Sequence, residues 1–227
     1  MSRSGQRRED DDAAIKPALA YRRLTPIYDP LMRATLRERR FKRQLVEQAG
    51  IEPGHRVLDL GCGSATLTVL VKQLRPGAEV VGVDADPEIL RLARQKIVDE
   101  GLEVSLEQAS AMRLPFADGR FDRVLTSLMF HHLTREHKRE ALADARRVLR
   151  PGGELHVADW GRAHGPGMRA LFLLVQLLDG FETTRDSVAG ALPGLMVEAG
   201  FAGVDERSRL RTVFGTIAFY SARRSAE

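Results

Sequence analysis

The sequence predicts an α/β fold, a doubly wound and mostly parallel sheet, from three observations. Short apolar segments alternate with amphipathic helical segments along most of the 227 residues, an order that favours parallel strands joined by helices. The first apolar segment runs into a glycine turn, Gly61 to Gly63, which begins a helix. Near the carboxyl end, two strand-like segments are joined by so few residues that they must be antiparallel. We therefore expect a parallel sheet that ends in an antiparallel hairpin.

Five strands are predicted in the parallel part, each followed by a helix or a loop. Local signals mark the helix boundaries: residues 76–77 (Pro-Gly) end the first helix, and Gly101 ends the second. Asp86 is predicted as an N-cap with Pro87 at the first helical position, and Thr134 caps the helix after the fourth strand. The predicted strands are Arg56–Leu60, Val80–Asp84, Leu102–Leu106, Phe121–Ser127 and Glu154–Ala158.

The chain after the fifth strand departs from this alternation. An insert from Trp160 to Pro193 contains Met168–Leu178, a predicted helix that is apolar on nearly every side and must be covered. Three coverings fit: the core, a second copy of the chain in a homodimer, or an apolar substrate under a lid. The remaining elements are a short helix and two hairpin strands joined at Val213, namely Leu192–Ala199, Val204–Thr212 and Phe214–Ala222.

Composition divides the chain into three parts. Residues 1–15 are polar and charged and are predicted to be a disordered tail. Residues 16–50 form a helical cap, and residues 51–227 form the main domain, with a lid-like insert at 160–193. No apolar run approaches the roughly 20 residues that a membrane-spanning helix needs, and no secretory signal is visible. The single cysteine, Cys62, fits a reducing compartment, so we expect a cytoplasmic protein.

The positive charge is concentrated near the amino end. The net charge is +4, and most of the basic residues are arginines. On a helix, Arg33, Arg37 and Arg40 share one face, while Phe41 and Leu45 point inward. We interpret the cluster as a solvated face, with an anionic partner such as a membrane surface as the alternative. The cluster comprises Arg22, Arg23, Arg33, Arg37, Arg39, Arg40, Lys42 and Arg43.

The glycine turn and the end of the second strand predict a ligand site at the carboxyl edge of the sheet. Gly61 and Gly63 lack a Cβ, so the backbone can turn tightly and approach a ligand closely. Asp84 closes the second strand, where its carboxylate can accept hydrogen bonds from both hydroxyls of a ribose. Asp59 would repel a pyrophosphate and suits a cationic ligand. Thr66 stands where a dinucleotide fingerprint needs a small residue, and no P-loop lysine follows, so both of those nucleotide sites are excluded.

The pattern D-x-G-x-G-x-A over residues 59–65, with an acid closing the next strand, resembles class I S-adenosylmethionine-dependent methyltransferases. The resemblance is greatest to the ubiquinone/menaquinone-biosynthesis group. Residues 118–124 and 149–153 resemble two further segments of that family, D-x-x-F-D-x-V and L-(K/R)-P-G-G. The resemblance covers residues 28–224. It implies a seven-stranded, Rossmann-like sheet and S-adenosyl-L-methionine as the cofactor bound by residues 51–227.

The resemblance also assigns nine residues to the cofactor site. Tyr28 belongs to a Tyr-Asp pair that closes over the methionine end of the cofactor in quinone-type relatives; its alternative role is an aromatic anchor for the N-terminal helix. Ser110 stands where the family usually has Asp for the adenine amino group, and a neutral hydroxyl is the weaker acceptor. Ala65 replaces the commoner third glycine. The nine residues are Tyr28, Asp59, Gly61, Gly63, Asp84, Ala85, Ser110, Ala111 and Ser127.

Residues 127–133, after the fourth strand, form the expected mouth of the active site. They lack the N-P-P-Y-like tetrapeptide of amino-methylating DNA and protein-glutamine enzymes, and no Pro-Cys nucleophile is present, so we do not expect a nucleic-acid substrate. No group of acids and Asn predicts a metal site. Adjacent residues on a helix point about 100° apart, so at most one of His131 and His132 faces the cofactor. Related L-H-H-L strings favour His132 as a general base, and a purely structural histidine is the alternative.

We therefore expect a metal-independent methyltransferase that acts on a small, apolar acceptor. The methyl group would pass by in-line displacement, which mainly requires alignment of the acceptor with the departing sulfur. A general base is needed only if the acceptor loses a proton. Two alternatives stay open: a phospholipid amine N-methyltransferase in peripheral contact with a membrane, and a non-catalytic cofactor-binding or assembly protein.

Overall fold

The computed structural model of the chain describes residues 38–213 and 215–226. Seven strands within these residues form one sheet. Strands one to five are parallel, and strand seven is antiparallel to both of its neighbours, five and six. The predicted fold class is therefore confirmed. The strands are β1 (Arg56–Leu60), β2 (Glu79–Asp84), β3 (Ser105–Gln108), β4 (Phe121–Ser127), β5 (Leu149–Trp160), β6 (Phe201–Arg211) and β7 (Thr216–Arg224).

Seven α-helices and one 3-10 turn accompany the sheet in the described part of the chain. Two predicted N-caps are confirmed: the Asp86 carboxylate accepts from the N–H groups of Glu88 and Ile89, and the Thr134 hydroxyl accepts from His137 N–H. The helices are α1 (Glu38–Gln48), α2 (Thr66–Leu74), α3 (Pro87–Asp99), α4 (Arg135–Val148), α5 (Pro166–Asp179), α6 (Phe181–Ala189) and α7 (Leu192–Glu198), with the 3-10 turn at Phe130–His132.

The strand order, β3-β2-β1-β4-β5-β7-β6, reverses between β1 and β4. The chain places β2 and β3 on one side of β1 and then returns to place β4 on the other. At such a reversal, the loops that follow the neighbouring strands diverge and leave a crevice at the carboxyl edge. The glycine turn follows β1 and Asp84 ends β2, so both lie at this crevice, as the sequence predicts.

Two apolar layers pack on the two faces of the sheet. One includes Phe121, Phe130 and Leu142, and there α4 contacts β5 while α7 contacts α4 and β6. The other includes Phe41 and Trp160, and here α1 contacts both α2 and β5. Most strands are buried on both faces, and this explains their nearly continuous apolar sequences.

Gly82, in the middle of β2, provides the room in which the glycine turn sits. A Cβ on Gly82 would lie 2.7 Å from Leu106 Cδ2 and 3.1 Å from Cys62 Sγ. Cys62 is itself buried, and its N–H donates to Val83 O at 2.9 Å. Because Gly82 has no side chain, Cys62, which lies between Gly61 and Gly63, can pack directly on β2.

Five strands, β2, β3, β5, β6 and β7, differ from the prediction at one or both of their boundaries. β3 begins at Ser105 because Leu102 N–H donates to Ile97 O and so belongs to the end of α3. β5 begins at Leu149, which pairs with Phe121 before an irregularity where Gly152 adopts φ +75°. A bulge of this kind admits Pro and Gly into a strand, so the predicted helix stop is also strand. The hairpin connection runs from 212 to 215, and Phe214 lies outside the described residues.

The predicted basic cluster is only partly described. The predicted tail, Tyr28 and the first basic residues lie outside the described residues, while Phe41 and Leu45 are buried as predicted. The prediction of a solvated face was wrong for Lys42, which is 8% exposed. Helix α1 contacts both α2 and β5, so these elements cover more of its surface than the stripe formed by Phe41 and Leu45. Lys42 lies in this covered part of the helix. In the described part, no helix is long and apolar enough to span a membrane.

The insert forms α5 and α6, and the core covers one of its faces. Phe172 and Val175 are buried, and the Phe172 ring lies 5.5 Å from that of Trp160. Leu173 and Leu177, on the same helix, are 42% and 62% exposed. Of the three predicted coverings, core packing therefore accounts for one side of α5.

We expect Gly82→Ala to lower the free energy of unfolding by about 1–3 kcal/mol, because the added methyl overpacks the space between Leu106 and the glycine turn. Gly194→Ala is the matched control. A Cβ on Gly194 would meet nothing within 4 Å inside α7, so that variant should gain about 0.5–1 kcal/mol. Urea unfolding followed by circular dichroism measures both. Equal stability of the Gly82 variant and the parent would contradict the close packing inferred here.

Candidate functional site

A cavity of about 380 Å³ opens at the crevice between β1, β2 and β4. Six segments form its walls: α1, the turn after β1, the end of β2, the start of α3, the loop after β3 and the segment after β4. Eight of the predicted site residues line it, and they are Gly61, Gly63, Asp84, Ala85, Ser110, Ala111, Ser127 and His132. The sheet therefore brings together residues that are up to 71 positions apart in the chain.

The turn after β1 is built from left-handed backbone. Gly61 has φ +69° and Gly63 has φ +53°, a region that residues with a Cβ rarely adopt. A Cβ on Gly61 would also collide with the Met129 side chain. Ala65 has φ +59°, a left-handed conformation that is strained for a residue with a Cβ. This conformation explains why glycine is commoner at the position in the methyltransferases that the sequence resembles.

The Asp84 carboxylate is held by two backbone N–H groups. Gly63 N–H donates to Oδ2 at 2.8 Å, and Asp86 N–H donates to Oδ1 at 3.0 Å. Burial raises the pKa of Asp84, and the two hydrogen bonds from the backbone oppose this effect only partly. Each oxygen retains a lone pair for a further donor, so the group can still accept two hydroxyls, as the sequence predicts.

Asp59 lies behind the glycine turn rather than on the cavity wall. It is 1% exposed, and the Thr68 hydroxyl donates to its Oδ2 at 2.6 Å. No described residue donates to Oδ1. Burial raises the pKa of Asp59 to about 6, against the hydrogen bond from Thr68 and the charge of Lys42. A buried carboxylate with an unused oxygen fits the prediction of a nearby cationic ligand.

Ser110 lies in the loop after β3, and its hydroxyl contacts Met112 within the same loop. Its Oγ accepts from Met112 N–H at 3.3 Å and lies 3.5 Å from Met112 Sδ. The oxygen keeps one lone pair, so Ser110 can accept from a ligand amine, but it does so as a neutral group that already has a partner. Its role toward adenine stays a prediction.

The segment after β4 is anchored by Asp159, from the neighbouring strand β5. Phe130 N–H donates to Asp159 Oδ2 at 2.8 Å, while Oδ1 accepts from Trp160 N–H at 2.7 Å and lies 2.8 Å from His131 Nδ1. Burial raises the pKa of Asp159, yet the charge and hydrogen bond of His131 outweigh this and keep it below its usual value. Leu128, just before this segment, has φ +54°, a strained conformation for a bulky residue.

The two adjacent histidines have different surroundings. His131 is 4% exposed, whereas His132 lines the cavity and its side chain is solvent-accessible there. Their ring centroids are 3.9 Å apart. Desolvation by the surrounding protein and the charge of His131 lower the pKa of His132, against the opposing charge of Asp159. A lowered pKa leaves the His132 imidazole unprotonated at pH 7.

Several residues of the site were missed by sequence reasoning. Glu38 and Lys42 of α1 line the cavity, and their side chains form an ion pair of 2.6 Å. Asp159 was missed because nothing in the local pattern of β5 marks it as the anchor of the histidine segment. Met112 and Met129 add an apolar wall. The described residues contain no group of His, Cys, Asp or Glu side chains arranged to hold a metal ion.

Comparison with known proteins gives three findings. A family model described as "Methyltransferase domain" matches residues 57–153. The demethylmenaquinone methyltransferase of Thermus thermophilus is 40% identical over 139 residues, 60% of this chain and 62% of that protein. The ubiquinone/menaquinone biosynthesis C-methyltransferase UbiE of Burkholderia mallei is 33% identical over 166 residues, 71% of this chain and 67% of that protein. The match to the Thermus protein thus spans about three fifths of its length.

Solved structures agree on the fold. The YcgJ protein from Bacillus subtilis superimposes with a TM-score of 0.67 at 18% identity, covering 82% of this chain and 99% of that one. At this level of identity, the likeness concerns the architecture of the sheet and its helices.

The Asp59 carboxyl group predicts a change of stability with pH. Its pKa is about 6 in the folded protein and about 3.8 when unperturbed, so the folded state binds more protons between these values. Stability therefore falls as the pH rises from about 4 to about 6. Asp59→Asn removes this titration, and we expect it to stabilise the protein by up to about 3 kcal/mol at pH 7.5 and by little at pH 4. Urea unfolding at both pH values measures the difference.

The exposed Asp99 provides the control for this prediction. Asp99→Asn should leave the pH dependence of the parent unchanged. If Asp59→Asn shifts stability equally at pH 4 and pH 7.5, the shift comes from packing and not from the buried charge.

Proposed function

We propose that this chain, which belongs to the class I S-adenosylmethionine-dependent methyltransferases of the ubiquinone/menaquinone-biosynthesis type, transfers a methyl group to a small apolar acceptor. S-adenosylmethionine is the cofactor of this family. The observation that carries the proposal is one cavity at the strand reversal in which a glycine turn and Asp84 face an apolar wall and a neutral histidine. The names of the relatives support a quinone-type acceptor that is methylated at carbon.

The residues of the cavity fit the cofactor. Gly61 and Gly63 keep its backbone wall free of side chains, and the remaining lone pairs of Asp84 can accept from the ribose hydroxyls. The unpartnered Oδ1 of Asp59 places negative charge behind the turn, where it favours a cationic ligand. When bound, the cofactor supplies a methyl group on a sulfonium, which is already an activated leaving group.

The proposed acceptor side is apolar, and the insert contacts the turn that carries its histidines. Met112, Met129 and Leu133 line the cavity next to His132. Helix α6 contacts the 3-10 turn that carries the histidines. It is fixed there because the buried Lys138 ammonium donates to Asp186 Oδ2 at 3.1 Å and to Thr183 O at 2.7 Å. The insert therefore packs against the turn that carries the proposed base, and this contact supports a role for the insert in shaping the acceptor pocket.

His132 is the residue we propose as the general base. A ring carbon or a phenol that accepts a methyl group must also lose a proton, and the neutral imidazole can take it. The neighbouring His131 is fixed by Asp159, and the His132 ring contacts it at an interplanar angle of 43° on the cavity side. His131 and Asp159 are thus positioning residues.

A phospholipid amine N-methyltransferase is the second candidate, and exposed apolar side chains favour it. Leu177 is 62% exposed and Phe181 is 55% exposed, and both lie on the insert helices. Such side chains can enter the boundary of a bilayer. We prefer a quinone-type acceptor because its methylation requires a general base, and His132 is available for that role. A neutral amine can attack the methyl group without first losing a proton, so it would not need His132.

The binding experiment tests the cofactor assignment. We expect S-adenosylhomocysteine at about 100 times its Kd to stabilise the protein by about 2.7 kcal/mol, several degrees in Tm, while NAD has no effect. Asp84→Asn should weaken binding at least tenfold, because one of the two carboxylate acceptors becomes an amide donor. Asp99→Asn is again the exposed control. Stabilisation by NAD alone would overturn the assignment.

The role of His132 is tested with a short-chain demethylmenaquinol as acceptor. We expect His132→Gln to lower kcat about 10²- to 10⁴-fold while the Kd of S-adenosylhomocysteine changes less than threefold. His137→Gln, on α4 and outside the cavity lining, is the control. A His132 variant with the kcat of the parent would show that no base acts here and would favour an amine acceptor.

A further inference from the structure

More acidic than basic side chains line the cavity among the described residues. Among the described residues that line it, three carry a carboxylate, namely Glu38, Asp84 and Asp86, and one carries an ammonium, Lys42. His132 adds no charge at neutral pH. A wall of this composition favours cations, and among the described lining residues Lys42 is the one cationic partner for an anionic group of a ligand.

Lys42 lies beside the glycine turn. Its charge lowers the pKa of Asp59 and of the Cys62 thiol, although burial raises both more strongly. Asp59 lies on β1 and Cys62 lies in the turn after it, so the Lys42 ammonium lies near the glycine turn. Asp84 ends β2 and Ser110 follows β3, and these two are the predicted partners of the nucleoside. Lys42 therefore reaches the cavity from a different element, helix α1.

The Lys42 ammonium has more N–H groups than it has acceptors among the described residues. It contacts Glu38 Oε1 at 2.6 Å, one helical turn earlier in α1, and no second acceptor for it is found among the described residues. An ammonium has three N–H groups, and Lys42 is 8% exposed, so water satisfies little of the remainder. The contact with Glu38 also fixes the direction of the long side chain.

We propose that Lys42 binds the carboxylate at the amino-acid end of the cofactor and thereby makes α1 part of the cofactor site. The inference rests on the proposed function, because it takes S-adenosylmethionine as the ligand. That cofactor carries one anion, the carboxylate, together with a cationic amine and a cationic sulfonium. One ammonium among three carboxylates on the wall, with Asp59 behind the turn, complements this set of charges.

The test compares two ligands that differ at the amino-acid end. S-adenosylhomocysteine carries the carboxylate, whereas 5′-methylthioadenosine has the same nucleoside and thioether without it. Calorimetry on Lys42→Met should show S-adenosylhomocysteine bound about 10- to 100-fold more weakly, as expected for loss of one charged hydrogen bond. The Kd of 5′-methylthioadenosine should change less than threefold, and this unchanged value also shows that the variant is folded.

Two further variants control for charge and for structure. Arg43→Met removes a positive charge from the exposed side of the same helix and should leave both Kd values unchanged. Lys42→Arg keeps the cation and should keep most of the preference for S-adenosylhomocysteine. If Lys42→Met weakens both ligands equally, or neither, the carboxylate is held elsewhere and the inference is overturned. If the parent protein binds neither ligand, the proposed function itself fails.

Discussion

The hydrogen bond from Gly63 N–H to the Asp84 carboxylate joins the two halves of the crevice, and the geometry of the site follows from it. Gly63 can present its N–H because it takes a left-handed conformation. Asp86 N–H holds the second carboxylate oxygen, and the Asp86 side chain then caps α3. Gly82 lets the turn pack directly on β2. The turn after β1, the end of β2 and the start of α3 are therefore one connected unit.

Three aspartates at this edge of the sheet, the buried Asp59 and Asp159 and the partly exposed Asp84, show how the same group is given different properties. Asp59 and Asp84 have pKa values raised by burial, Asp59 the more clearly because it has a single described hydrogen-bond donor. Asp159 is as deeply buried, but His131 and two backbone N–H groups hold its pKa low. The satisfied carboxylate, Asp159, fixes structure. The poorly satisfied one, Asp59, is expected to lower stability at neutral pH.

Two elements outside the parallel sheet complete the site. Helix α1 brings Glu38 and Lys42 to one end of the cavity, and α6 of the insert contacts the histidine turn near the other. In the proposed function, the sheet would hold the nucleoside, while α1 would hold the amino-acid end of the cofactor and the insert would support the histidine turn on the acceptor side.

The sequence by itself determined the fold class, the bounds of β1 and β4, both N-caps and the residues of the glycine turn. These features depend on neighbours along the chain: an apolar run, a glycine without Cβ, or a side chain that reaches a nearby N–H. Only the tertiary structure decided that Lys42 is buried, that Asp159 holds His131, and that β5 begins at Leu149. Each of these depends on which elements meet in space, and no pattern within α1, β5 or the histidine segment alone carries that information.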